Sequence, residues 1–333
     1  MNVLVTGNLP EEVLSLLGQE HTVEFHAEDR PMERSRFLEM VRDKEGLLCM
    51  ITDRINEDLL RQAPRLKAIA NMAVGYDNID VKVASREKIP VSNTPGVLTD
   101  ATADLAFALI LAVARRLVEG DHMTREGKFR FWAPMYFLGH EVSGKTLGIV
   151  GLGRIGKAVA RRAKGFNMEI LYHSRTRMSP EQEKELEVAY CDMDILLSRV
   201  DFVSLHVPLT PDTRHLVGEK ELAMMRKTAY LINTSRGPVV DEKALVAALE
   251  KGTIAGAGLD VYEKEPDLIP GLKELDNVVL LPHIGSATVE TRTKMALKAA
   301  ENLLAGLRGD RPPDCLNWRS VRRAVSDKAK GGY

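Results

Sequence analysis

Three segments of this chain end an apolar run with a group able to do chemistry. Ile232-Asn233-Thr234-Ser235-Arg236-Gly237 delivers a guanidinium, and Ala257-Gly258-Leu259-Asp260-Val261-Tyr262-Glu263-Lys264-Glu265-Pro266 delivers carboxyls. Leu281-Pro282-His283-Ile284-Gly285-Ser286 delivers an imidazole, which exchanges protons near neutral pH. Each has a bland alternative: Arg236 as a surface ion pair, Glu265 as a solvated acid, His283 as a structural histidine. The case for chemistry rests on a fourth segment. Thr146-Leu147-Gly148-Ile149-Val150 feeds Gly151-Leu152-Gly153-Arg154-Ile155-Gly156, and a helical pattern opens at Lys157. Strand, glycine turn and helix in that order cradle a dinucleotide pyrophosphate. Gly151 permits the tight turn, Gly153 lets backbone approach phosphate, and Gly156 lets helix pack on strand. The helix N-terminus adds free N–H groups and a partial positive charge.

Which nicotinamide dinucleotide is read after the next strand. NAD-specific proteins place an Asp or Glu there for the ribose hydroxyls. This chain instead has Tyr172-His173-Ser174-Arg175-Thr176-Arg177, with no carboxylate. Guanidinium binds a 2′-phosphate bidentately, and Ser174 or Thr176 can donate to it. The loop favours NADP(H); NAD(H) is the alternative, with the segment then a solvated basic turn.

These groups need strands to present them. The sequence predicts strands at 46–50, 66–70, 148–150, 168–172, 202–207, 229–233, 254–260 and 278–281, after a first strand and turn at 1–7. Amphipathic helices such as 241–251 lie between them. Such alternation implies parallel sheets wound by right-handed crossovers, with ligands at the carboxyl ends of strands. The glycine fingerprint falls mid-chain, so its domain starts near residue 100 and the first hundred residues form another α/β unit. A helix over 287–307 can return the chain to that unit. The expected domains are therefore a discontinuous one, 1–98 with 286–333, and a dinucleotide-binding one, 99–285. Residues 101–114 are too short and too flanked by charge to span a membrane, and read as a helix buried between domains or subunits, with Thr99 or Asp100 as its cap. The tail after Val321 reads as frayed.

Composition bounds the partners. The 333 residues exceed what one core supports. A net charge of −1, from 46 basic and 47 acidic residues, excludes nucleic acid and anionic membrane as main partners. Cys49, Cys191 and Cys315 are scattered, which suits buried thiols in a reducing cytoplasm rather than a disulfide or a metal site. The first residues lack the basic and long apolar regions of a signal peptide.

From about Val3 to Trp318 the chain resembles the D-isomer-specific 2-hydroxyacid dehydrogenases, in their glyoxylate/hydroxypyruvate reductase branch. The resemblance is carried by Val74-Gly75-Tyr76-Asp77-Asn78-Ile79-Asp80, by Asn93-Thr94-Pro95-Gly96-Val97-Leu98-Thr99-Asp100-Ala101-Thr102-Ala103-Asp104, and by the glycine fingerprint. Thr234-Ser235-Arg236-Gly237, Gly258-Leu259-Asp260-Val261 and Pro282-His283-Ile284-Gly285-Ser286 complete it. Residues 170–177 look most like the glyoxylate reductase branch. The resemblance implies two Rossmann-like doubly wound parallel-sheet domains with a cleft between them, and a homodimer built on the nucleotide-binding domains.

By position it also implies roles. His283 is the general acid on the carbonyl oxygen, Glu265 fixes its tautomer, and Arg236 holds the 2-oxo acid. Val74 and Gly75 offer backbone N–H groups to the substrate carboxylate, and Met50 sits beside the substrate's third carbon. Thr102 and Asp260 fall at the nicotinamide, with Gly285 beside them. His206, Pro208, Thr213 and Thr234 lie in cofactor-contact segments, although His206 equally suits a core. Trp132 matches an aromatic that crosses to the partner subunit and lines its pocket; a surface or core tryptophan is the alternative. The expected activity is reduction of glyoxylate and hydroxypyruvate to glycolate and D-glycerate. An NAD-dependent dehydrogenase of another D-2-hydroxy acid, such as 3-phosphoglycerate, and a nucleotide-sensing corepressor-like protein are the alternatives.

Overall fold

Twelve strands, all parallel, form two separate sheets in the computed structural model, which describes residues 1–322. The tail after Val321, expected to fray, lies almost entirely outside the described residues. The chain divides into two compact units, Met1–Leu98 with the chain from Thr288 onward, and Thr99–Ala287.

The first unit holds β1 (Asn2–Val5), β2 (Thr22–Phe25), β3 (Gly46–Cys49), β4 (Ala68–Asn71) and β5 (Val91–Ser92), in the order β2-β1-β3-β4-β5. This is the flavodoxin-like doubly wound order, whose strand direction of growth reverses between β1 and β3. β1, β3 and β4 are runs of small and branched apolar residues because both faces are covered. The Val289–Arg308 helix packs on β3 and β4, close enough that a Cβ on Gly306 would lie 2.7 Å from Ala68 Cβ. Thr288 caps this helix by accepting from the Thr291 amide.

The second unit holds β6 (Thr146–Val150), β7 (Glu169–His173), β8 (Ala189–Tyr190), β9 (Phe202–Leu205), β10 (Tyr230–Asn233), β11 (Gly256–Leu259) and β12 (Val278–Leu280). Their order, β12-β11-β10-β9-β6-β7-β8, is the dinucleotide-binding order with one further strand. The order reverses between β6 and β9, and the glycine turn follows β6 at that point. One face of the sheet is covered by the Thr99–Ala114 and Arg154–Lys164 helices, the other by Met193–Arg199, Glu219–Met224 and Glu242–Glu250.

Several expected strands ended one or two residues too late. Met50, Val207, Asp260 and Leu281 lie beyond their strands, because the chain leaves the sheet where its ligand-facing loops begin. The short edge strands β2, β5 and β8 were not foreseen; β2 alternates Val23 and Phe25 with polar residues over only four positions, and it is mostly exposed. The Thr99–Ala114 helix packs on β10 and β11 of its own unit's sheet. Neither Thr99 nor Asp100 caps it, since both are helical. Asp100 and Asp104 instead pair with Arg162 of the neighbouring helix, at 3.3 and 2.6 Å. Among the cysteines only Cys49 is fully buried.

Candidate active site

The glycine turn is built as its spacing demands. Gly151 has φ +96°, and a Cβ there would lie 2.7 Å from the His206 carbonyl oxygen. A Cβ on Gly156 would lie 2.4 Å from the Gly151 oxygen and 3.1 Å from Ile149 Cγ2, so the helix meets the turn even more closely than the strand. A Cβ on Gly153 would meet no protein atom within 4 Å, which leaves its approach side open. The Arg154 and Ile155 amides at the start of the helix have no backbone acceptor among the described residues. A pyrophosphate fits this cradle by charge and by donor supply.

The loop after β7 is held at both ends. Ser174 Oγ accepts from the Leu152 amide of the glycine turn at 2.7 Å, and the Tyr172 hydroxyl accepts from the Met178 amide at 2.9 Å. Arg177 is committed elsewhere, donating Nε and Nη2 to Glu183 at 2.8 Å each. Those bonds, with that from Tyr172, push the Glu183 carboxyl down to about 2. Arg175 and Thr176 are exposed at the tip, and Arg175 has no partner among the described residues. The expectation of two arginines free for a phosphate therefore reduces to one.

The remaining cofactor candidates cluster by loop. Gly285, Asp260 and Thr102 meet: a Cβ on Gly285 would lie 3.2 Å from Asp260 Oδ2 and 3.5 Å from Thr102 Cγ2. Asp260 accepts from the Ile284 and Gly285 amides, both at 2.7 Å, and thereby pins the turn that carries His283. Burial raises its carboxyl above the usual range despite those bonds. The Thr234 hydroxyl is buried without a partner among the described residues, an open polar position of the kind a ligand fills. Thr213 Oγ1 donates to the Pro208 carbonyl at 2.6 Å, so it closes its own loop. His206 faces Ser204 Oγ at 2.8 Å, and the protein around it pulls its pKa down to about 4.

His283 and Glu265 are brought together. The His283 Nδ1 lies 2.7 Å from Glu265 Oε2, and Glu265 Oε1 accepts from the Tyr262 amide at 3.0 Å. Burial pushes the Glu265 carboxyl up, but the His283 bond and charge, the Tyr262 amide and the Arg236 charge outweigh it, and the group lies below its ordinary value. An ionised carboxylate only accepts, so Nδ1 carries the proton and Nε2 is turned elsewhere, without a protein partner among the described residues. His283 has φ +55°, a conformation held by the Asp260 clasp. Arg236 follows β10, with Nη1 donating to the Ser235 carbonyl at 2.8 Å and its own carbonyl held by Asn233 Nδ2 at 3.0 Å.

Met50, Val74 and Gly75 belong to the first unit. Met50 follows β3 at the strand-order reversal, and its amide donates to Asp53 Oδ2 at 2.7 Å. Asn93 Nδ2 donates to the Val74 carbonyl at 2.7 Å and Asn71 Nδ2 to the Gly75 carbonyl at 2.9 Å. Both carbonyls are thus drawn back, and the Val74 and Gly75 amides are left without an acceptor among the described residues. These asparagines, with Asp53 and Asn78, were missed; the polar residue closing each apolar run, Asn71 and Asn93, was the available signal.

A model of the D-isomer specific 2-hydroxyacid dehydrogenase NAD-binding domain matches residues 107–285. The chain is 53% identical to a glyoxylate reductase from Thermococcus litoralis, over 95% of this chain and 96% of that one. A Thermus thermophilus protein of known structure superposes with a TM-score of 0.88 at 45% identity, over 95% and 100% of the two chains. An NADPH-dependent glyoxylate/hydroxypyruvate reductase from Sinorhizobium meliloti, solved with NADP and malonate, gives 0.82 at 34% identity, over 95% and 96%.

Proposed function

The chain belongs to the D-isomer specific 2-hydroxyacid dehydrogenases, nicotinamide-dependent oxidoreductases of small 2-hydroxy acids, and from that premise we propose that it reduces glyoxylate and hydroxypyruvate. The products are glycolate and D-glycerate. The single observation that carries this reading is the His283–Glu265 pair at 2.7 Å, on strand ends of the unit that holds the glycine turn.

When bound, the reduced nicotinamide supplies a hydride to the carbonyl carbon. The residues do the rest. Arg236 holds the substrate carboxylate and draws electron density onto its carbonyl oxygen. His283 donates the Nε2 proton to that oxygen, and Glu265 keeps Nδ1 protonated and stabilises the imidazolium form that is the acid. Val74 and Gly75 present amides to the carboxylate, and Met50 sets an apolar limit suited to a hydrogen or a one-carbon substituent. Thr234 offers its unpartnered hydroxyl to the coenzyme, while Thr102, Asp260 and Gly285 shape the nicotinamide end. Gly151, Gly153, Arg154, Ile155 and Gly156 hold the pyrophosphate.

NADP(H) is the favoured coenzyme. The support is the carboxylate-free loop, in which Arg175 is an uncommitted guanidinium and Thr176 an adjacent hydroxyl. The enzyme works in the cytoplasm as a homodimer through its nucleotide-binding domains, with Trp132 reaching the partner. Trp132 and Met135, 79% and 80% exposed, support that assembly. No helix among the described residues is long and apolar enough to cross a membrane.

The test is coenzyme oxidation against a panel of 2-oxo acids with NADH and NADPH. The His283→Ala variant should lose roughly 10²- to 10⁴-fold in kcat and keep its coenzyme affinity. An active variant would refute the general-acid role.

A further inference from the structure

Behind the His283–Glu265 pair lies a second pair of glutamates with no assigned task. The Glu242 amide donates to Glu263 Oε1 at 3.1 Å, and the Glu263 amide donates to Glu242 Oε1 at 2.7 Å. Each carboxylate therefore grips the other's backbone. Glu242 opens the Glu242–Glu250 helix behind Asp241, whose side chain caps it, and is 5% exposed. Glu263 also faces His215 Nε2 at 3.2 Å. A carboxyl buried this deeply is costly unless its bonds require it there.

The two segments so joined are those that carry the chemistry. Arg236 and Gly237 lead into the Glu242 helix, and Glu263 stands two residues before Glu265. A second contact reinforces the join: a Cβ on Gly237 would lie 1.8 Å from the Tyr262 carbonyl carbon, so only glycine allows the two backbones this approach. Tyr262 in turn gives its amide to Glu265 and its hydroxyl to the Leu281 carbonyl at 2.9 Å, two residues before His283.

We infer that Glu242 and Glu263 form a reciprocal backbone clamp that fixes Glu265 relative to Arg236, so that Glu242 is a positioning residue for the acid pair. The inference rests on the reading of His283 and Glu265 as that pair. Burial, and the charges of Glu263 and Glu265, raise the Glu242 carboxyl, while the Glu263 amide and Lys264 oppose the rise. The clamp itself needs only an acceptor oxygen at each position. A glutamine therefore preserves it and an alanine does not.

The experiment uses the full chain with NADPH and glyoxylate, reading kcat, both KM values, coenzyme affinity by fluorescence and the pH profile of reduction. Glu242→Ala should lower kcat by about ten-fold through misplacement of the acid, with coenzyme affinity held. A loosened carboxylate stabilises the imidazolium less, so the alkaline limb should move to lower pH by roughly half a unit. Glu242→Gln should restore both. A folded Glu242→Ala with wild-type kcat and limb overturns the clamp. Should that variant fail to fold, Glu263→Ala against Glu263→Gln reads the same join from the other side. Glu265→Gln separates the two claims: if it leaves the limb in place, the acid-pair reading fails; if it moves the limb and Glu242→Ala does not, only the clamp fails.

Discussion

His206 shows how burial decides the state of a side chain close to a ligand loop. Its ring leans on Ser204, and the low-polarity surroundings of the β9 end pull its pKa to about 4. The neutral ring therefore persists down to about pH 4. In the unfolded chain the same ring binds a proton below its ordinary pKa of about 6.5. Between about 6.5 and about 4 the unfolded state thus holds the extra proton, and His206 makes stability fall as pH falls. The contribution is fully present above 6.5. Chemical denaturation of wild type and His206→Gln across that interval should show the wild type losing more stability than the variant on acidification. Parallel curves would refute it.

The loop between β7 and the Pro180–Leu186 helix shows what an element adds beyond its residues. Ser174 accepts from Leu152, which couples the specificity loop to the glycine turn and leaves its hydroxyl proton to donate. An aspartate can still accept that amide while placing a negative charge beside Arg175. Ser174→Asp should therefore change the ratio of kcat/KM for NADPH over NADH by roughly 10- to 100-fold toward NADH, the worth of a charge-assisted contact. An unchanged ratio would remove the NADPH preference. Legibility follows the same division. Gly151, Gly156 and the strand ends that carry Arg236, Glu265 and His283 could be read because local backbone geometry and the carboxyl-end rule constrain them. The Arg177–Glu183 bond and the Glu242–Glu263 clamp could not be read, because each depends on which carboxylate a neighbouring segment brings within reach. Strand ends were overrun for a related reason: apolar residues such as Val207 continue a buried pattern after the ladder of hydrogen bonds has stopped. β2 escaped notice because an edge strand carries little core.

At the scale of the molecule, the second unit presents an apolar surface that a lone chain has no reason to keep. Residues 127–145 form no helix or strand, yet Phe129, Phe131, Trp132, Met135 and Leu138 are all more than half exposed. Beside them a groove of about 890 Å³ is lined by Val113, Arg116, Phe137, Tyr230 and Val279. The groove's rim is shaped: Arg116 stacks over Phe137 at 4.1 Å and bonds Glu119, while His140 Nδ1 meets the Tyr230 hydroxyl at 2.6 Å. Monomeric proteins rarely retain so many large apolar side chains in one segment, and a two-fold related copy would cover them with the same segment of its own. The wild type should therefore sediment as a dimer at micromolar concentration. Replacing Trp132 and Met135 together with serine should raise the dimer dissociation constant by at least ten-fold, since each loses the burial of a large side chain. A monomeric wild type, or a double variant that dimerises as tightly, would assign the exposed arm to another partner.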